Sequence, residues 1–350
     1  MSLPHNRPPS AADLRRARAS LAPLSAAVAA AKRRAGPGAT AVAWMSDLHL
    51  HARRDYPGLR PVPFDVYGHH VDCSANFQIA LAELAALRPA ADLLILGGDL
   101  ADSGCGGEAP ADEFAELQRL LDAHLPPGLP TLPLLGNHDH ADKPMSKRLG
   151  RLLRGLKRDG WVDPVEDHDF YHASVRHGWR FIALDSRQDH NLSNRQRAWL
   201  EAQLASDPKT PTIIAVHRPF VSVGNWVDDH RLRDFAALAL INQAPCVRLV
   251  LSGHTHKSAL WQYRRRLHAA FPAVAYGIGE ACGWGCIVLG RRGVEAVFVK
   301  ELRYRTFDHV TATHALRPGG HRRLAPALFE DSALCNPCFL PRELDPRRRS

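Results

Sequence analysis

Apolar residues fall into two alternating kinds of segment along the middle of the chain. Five short runs, Ala41–Met45, Leu93–Leu96, Thr131–Leu135, Thr212–Val216 and Val247–Leu251, are largely apolar and of strand length. That is the pattern of strands buried on both faces. Between them lie amphipathic stretches with apolar residues at helical spacing, the clearest being Phe77–Leu87, Phe114–Leu121, Gln196–Leu204 and Leu232–Ile241. Arg180–Leu184 adds a sixth strand-like run. Strand–helix alternation predicts an α/β domain with helices flanking sheet. After Thr255 the pattern tightens to closely spaced strands, expected at Leu260–Tyr263, Ala273–Ile278, Cys286–Leu289 and Ala296–Lys300 with turns at Gly283 and Gly290. The chain finishes in β structure.

The ends read differently. Pro4, Pro8, Pro9, Pro23 and Pro37 punctuate the first 40 residues, and Arg and Lys bracket an Ala-rich run. An export signal fits poorly, because Pro23 and Ser25 interrupt the apolar stretch and Lys32-Arg33-Arg34 follows it. A short helix or arm lying on the body is the expectation. The far end is rich in Arg and Pro and finishes in Arg347-Arg348-Arg349. The expected organisation is an arm over 1–38, a domain over 39–305 and a tail over 306–350.

Composition narrows the class. With 45% hydrophobic and 23% charged residues in 350, the chain is ordinary for a globular protein. No apolar run approaches the roughly 20 residues of a bilayer span, so no spanning helix is expected; with no convincing export signal, the expected location is the cytoplasm. The net charge of +9 rests on 38 Arg against 7 Lys. That reads as codon usage as readily as selection for an anionic partner. Nucleic-acid binding through the Arg-rich ends is a weak reading, since no recognition motif accompanies them. Seven cysteines do not make a disulfide scaffold.

Each of the five strands runs straight into polar residues able to hold a metal. Asp47 and His49 follow the first, and Gly97-Gly98-Asp99 the second. Gly136-Asn137-His138-Asp139 follows the third, His217 the fourth, and Gly253-His254-Thr255-His256 the fifth. Ligands in open α/β folds gather at the carboxyl ends of strands, so five segments are expected to converge on one place. The donors are oxygen and nitrogen with no thiolate, which suits Mn, Fe, Zn, Ni or Co. Seven donors are too many for one ion and right for two that share a carboxylate. Two such ions clamp the attacking and leaving oxygens of a hydrolytic displacement.

The ordered set Asp-x-His, Gly-Gly-Asp, Gly-Asn-His-Asp, His and Gly-His-x-His resembles the calcineurin-like metallophosphoesterase superfamily over about Ala39 to Lys300. The resemblance implies a four-layer α/β/β/α sandwich with a dinuclear centre at the sheet edge. It implies Asp47, His49, Asp99 and His256 around one ion, and Asp99, Asn137, His217 and His254 around the other. It further implies attack on phosphorus by a hydroxide bridging the metals, with His138 near the leaving group and Asp102 orienting that ring. The substrate is expected to be a small phosphoester.

Within the superfamily, Ala183-Leu184-Asp185-Ser186, then Gln196, Trp199 and Leu200, and His217-Arg218-Pro219 resemble the class III cyclic-nucleotide phosphodiesterase group. A phosphodiesterase is therefore expected ahead of a phosphomonoesterase or nucleotide pyrophosphatase, with a nuclease behind both. Ser103 stands where related protein phosphatases carry Arg. The long insert Arg53–Ser74, with Arg53, Arg54, Tyr56, Arg60, Tyr67, His69 and His70, reads equally as a substrate-contacting flap or a surface loop. Cys335 and Cys338 have metal or redox spacing but no second pair, and read as incidental.

Overall fold

The computed structural model describes residues 9–50, 59–61, 70–102, 111–140, 170–186, 190–221, 231–275, 282–291, 293–302 and 313–316. Most of the Arg53–Ser74 insert, Ser103, and Cys335 with Cys338 lie outside the described residues.

The strands are β1 (Thr40–Met45), β2 (Leu59–Pro61), β3 (His70–Asp72), β4 (Leu93–Gly97), β5 (Thr131–Leu134), β6 (His172–Arg176) and β7 (Trp179–Leu184). They continue with β8 (Thr212–Val216), β9 (Val247–Ser252), β10 (Ala259–Tyr263), β11 (Arg266–Ala270), β12 (Cys282–Gly290), β13 (Gly293–Leu302) and β14 (Thr313–Leu316). The helices are α1 (Ala11–Ala19), α2 (Ala22–Ala35), α3 (Cys73–Ala86), α4 (Ala111–His124), α5 (Asn194–Ser206) and α6 (Phe235–Gln243).

Two six-stranded mixed sheets result, in the orders β14-β13-β12-β1-β4-β5 and β10-β11-β9-β8-β7-β6. β2 and β3 pair by themselves. Strand periodicity assigns every side chain to a layer. Val42 and Trp44 of β1 meet Phe181, Ile213 and Leu249 of the facing sheet. Ala41, Ala43 and Met45 point the other way, onto α1 to α4 through Ala17, Val28, Phe77 and Leu117. On the far side Ile182, Ile214 and Val250 pack against Leu200 of α5 and Leu238 of α6. The layers are therefore helix, sheet, sheet, helix. With both faces of each sheet covered, the parallel strands are largely apolar, as in β1, β4 and β8.

The N-terminal segment is helical. Ser10 caps α1 in a reciprocal pair with Asp13, and Pro23 falls in the first turn of α2, where a missing N–H costs nothing. Ala17, Leu21, Leu24, Val28 and Ala31 are fully buried in the first helical layer. One charged pair lies in the same layer. Glu83 of α3 and Lys300 of β13 stand 3.1 Å apart with no exposed surface. The Trp284 indole donates to the other Glu83 oxygen at 2.7 Å, and the Ser20 hydroxyl also donates to the carboxylate.

Three details of the β-rich finish depart from the sequence pattern. Arg264 and Arg265 take positive φ (45° and 67°), the geometry of a two-residue hairpin turn, so the chain doubles back at once into β11. Residues 273–275 are not strand. They lie beside the end of β1, where Val274 and Ala275 donate to the Ser46 and Asp47 carbonyls. Gly283 is no turn; it lies inside β12 with its Cα facing the Lys300 carbonyl, a contact only a residue without Cβ permits.

Among the described residues, no helix is long and apolar enough to cross a membrane.

Candidate metal centre

Parallel pairing brings the strand ends into line. β1, β4 and β5 are neighbours in one sheet, and β7, β8 and β9 in the other. Each ends at the same edge, and the loops that follow are sewn together across the two sheets. The His254 N–H donates to the Asp47 carboxylate at 3.0 Å, His217 Nδ1 lies 2.8 Å from the Gly97 carbonyl, and the Gly253 N–H donates to the His217 carbonyl at 3.0 Å.

The loop backbone is bent hard to achieve this. Asp47, His49, Asp99, His254 and His256 all have positive φ, between 43° and 66°. Residues other than glycine avoid that region, and its concentration on five of the seven expected ligands is strain held at a functional site. Gly98, at φ 89°, has no room for a side chain, because a Cβ there would stand 2.7 Å from both the Gly136 nitrogen and His217 Nδ1. Buried Asp139 fixes the third loop: its carboxylate accepts from the N–H groups of Leu100, Ala101 and Gly136 at 2.8–2.9 Å.

The donor atoms fall into overlapping groups. Asp47, His49 and His256 form one and Asp99, His217 and His254 another, each with its potential ligand atoms within 4.8 Å of one another. Asp99 joins His49 and His138 in a third group. Asp99 thus links to the first group through His49. Its Oδ2 is 3.1 Å from His217 Nε2 and 3.9 Å from His49 Nε2, while Oδ1 accepts from the His138 N–H at 2.8 Å. Asn137 sits in the helical turn Asn137–Asp139 beside them, nearly buried.

The tautomers follow from what surrounds each ring. His217 donates from Nδ1 to the Gly97 carbonyl, which turns its buried Nε2 toward the Asp99 carboxylate, 3.1 Å away. His49 Nδ1 lies 3.1 Å from Asp102 Oδ1, which leaves His49 Nε2 as the acceptor, 3.3 Å from His256 Nε2. A carboxylate behind a histidine whose other nitrogen faces carboxylates and a second imidazole is the arrangement of a metal ligand and its support. Asp102 therefore has two neighbours. His138 Nδ1 is 3.5 Å from its carboxylate and 3.1 Å from its backbone carbonyl, and the His138 ring is 23% exposed.

Electrostatics point the same way. Burial disfavours a charged His217, yet the Asp99 and Asp47 carboxylates beside it outweigh that and hold it up at about 9. Burial likewise opposes ionised Asp99, but His217 and His138 pull it well below the usual carboxylate range. Two buried carboxylates ringed by imidazoles make a pocket that demands positive charge, and its oxygen and nitrogen donors fit divalent or trivalent ions.

Around this centre, Asp185 at the end of β7 accepts from His140 Nε2 at 2.7 Å and from the Phe170 N–H, while Gln196 exchanges two hydrogen bonds with the Asp185 backbone. Arg218 follows His217, with Nη1 2.8 Å from His254 Nε2. The sequence pattern left Arg218, Asp139 and the His49–Asp102 contact without a role. Each involves a polar residue within three positions of an expected ligand.

The fold and the site together define a two-sheet α/β protein with a dinuclear-type donor set at one edge. Residues 40–258 match the calcineurin-like phosphoesterase family, and the chain belongs to it. A 3′,5′-cyclic-nucleotide phosphodiesterase of Nostoc sp. is 31% identical over 204 residues, which cover 57% of this chain and 66% of that protein. The glycerophosphodiester phosphodiesterase of Enterobacter lignolyticus is 25% identical over 252 residues, covering 68% and 78%. A dimetal phosphatase of Danio rerio shares the fold, with TM-score 0.58 and 14% identity over 79% of this chain and 98% of that one.

Proposed function

We propose that this chain is a metal-dependent phosphodiesterase acting on a small phosphodiester. The observation that carries the reading is the position of Asp99, grouped with His217 and His254 on one side and with His49 on the other, where His49 in turn belongs with Asp47 and His256; two adjacent ions need such a carboxylate between them. Both relatives above are named for phosphodiester substrates, one cyclic and one open, which favours the diester class. Asp47, His49, Asp99 and His256 would hold one ion, and Asp99, Asn137, His217 and His254 the other. Bound there, two ions supply Lewis-acid polarisation of the phosphoryl oxygens and an acidified water for attack on phosphorus.

The chain's own residues do the rest. Asp102 holds the His49 ring so that its Nε2 faces the centre. His138, partly exposed at the mouth, protonates the departing oxygen from its ring, with Asp102 against its Nδ1. Asp139 fixes the loop bearing Asn137 and His138, so that both arrive with little freedom left to lose. Mn, Fe, Zn, Ni and Co all suit the donor set, and the native pair is to be read from the purified protein.

The test compares bis(p-nitrophenyl) phosphate with p-nitrophenyl phosphate, using metal-stripped chain with Mn²⁺, Fe²⁺, Zn²⁺ or Ni²⁺ restored. Metal-dependent cleavage favouring the diester is expected. Preference for the monoester would replace this reading with a phosphomonoesterase.

A further inference from the structure

The molecule has a cavity at the edge opposite the metal centre. β1 and β8 run toward the centre, and their amino ends lie one strand length from it, about 20 Å for the six residues of β1. There Gly38, His177, Gly178, Trp179, Pro211 and Arg291 line a volume of about 400 Å³, within the range of small-molecule sites. Two tight hairpins shape its mouth. His177-Gly178 is the two-residue turn between β6 and β7, with φ of 51° and 76°, and Arg291 opens the equally short turn between β12 and β13. One hairpin belongs to each sheet, so each sheet brings one nitrogen-bearing side chain to the cavity.

The lining has two characters. Trp179 belongs to the apolar core between the sheets and, with Pro211, gives the cavity an apolar wall. Gly38 and Gly178 leave open space where a Cβ would stand, which keeps the approach clear. His177 and Arg291 are exposed, and neither side chain makes a hydrogen bond or ion pair with another described residue. No carboxylate is among the described lining residues. A guanidinium offers donors only, and its planar fork matches the oxygens of a carboxylate, sulfonate or phosphoryl group. We propose that this cavity binds a small organic anion, with its acidic group on Arg291 and His177 and its apolar part against Trp179 and Pro211. The site is separate from the metal centre and requires neither bound ions nor turnover.

The experiment measures by calorimetry the binding of naphthalene-2-sulfonate and of neutral 2-naphthalenemethanol to the full-length chain, in wild type, Arg291→Glu and His177→Asn. One sulfonate per chain is expected, held about tenfold more tightly than the alcohol, as a charge-assisted contact requires. Arg291→Glu should weaken the sulfonate about fivefold to tenfold, since attraction at an exposed position becomes repulsion. His177→Asn should weaken it severalfold while keeping the turn, because Asn is favoured where φ is positive. Affinity should be the same for metal-stripped chain and for chain with Mn²⁺ restored. Absence of sulfonate binding would overturn the proposal, and so would equal affinity for the sulfonate and the alcohol. Wild-type affinity in either variant would overturn it as well. Binding that appears only with Mn²⁺ would place the probe at the metal centre and overturn it too. Should Arg291→Glu fail to fold, His177→Asn decides by the same measurement.

Discussion

The carboxylate of Asp102 lies 3.1 Å from Nδ1 of His49, closer than the 3.5 Å that separates it from Nδ1 of His138. One acidic side chain thus stands behind both a proposed ligand and the proposed proton donor. Asp102→Ala is expected to weaken metal binding about tenfold to a hundredfold, the usual result of removing a ligand's carboxylate support. His138→Ala should leave both ions in place and slow turnover by about 10²–10⁴-fold. Calorimetric metal titration and steady-state kinetics of the two variants separate these roles. Equal metal affinity in Asp102→Ala and wild type would remove Asp102 from the support of His49.

Glu83 and Lys300 form a wholly buried pair that also ties α1 to the sheet through Ser20. Burial pushes the Glu83 carboxyl up, the direction expected when a charge is drawn out of water. Breaking the pair from one side leaves Lys300 as an uncompensated buried cation. Glu83→Gln should therefore cost about 3–5 kcal/mol, whereas Glu83→Leu combined with Lys300→Met should cost far less. Urea denaturation of the variants measures both. Equal losses would mean that the charge pair is not what sets the cost.

How much of this could be read from the sequence divides along physical lines. Buried strands and the polar donors gathered at their ends were legible, because a strand covered on both faces is largely apolar and its termination in Asp, Asn or His is abrupt. The run Val42 to Asp47 shows this directly. The Glu83–Lys300 pair was not legible, since its members are 217 positions apart and each sits in an otherwise apolar segment. Strand β11 was not among the expected strands, because Arg266 and His268 break its apolar pattern. The His49–Asp102 contact was hidden by the more obvious pairing with His138, which only geometry could rank.

Two histidines far from any expected ligand role set the response to acid. Burial drives His172 down to about 4, against a hydrogen bond to the Pro133 carbonyl, and burial with nearby Arg266 drives His268 down to about 3. Both rings are neutral in the folded chain. The unfolded chain takes up protons on them once the pH drops below about 6.5, so unfolding is favoured as the pH falls. Stability is full above that value and is lost progressively toward the folded values. Between pH 6.5 and 5 each ring should remove about 2 kcal/mol. Urea midpoints across that window measure the slope, and His268→Gln should flatten it even if it lowers stability at pH 7. An unchanged slope in that variant would exclude His268 as a source.

The central claim is that Asp99 is shared by two ions that together make the chain a phosphodiesterase. Its most direct test is metal stoichiometry by inductively coupled plasma mass spectrometry, read beside bis(p-nitrophenyl) phosphate hydrolysis, in wild type and Asp99→Asn. Two ions per wild-type chain, with both full occupancy and diester cleavage lost in Asp99→Asn, is the predicted result. Two ions and undiminished hydrolysis in Asp99→Asn would contradict it.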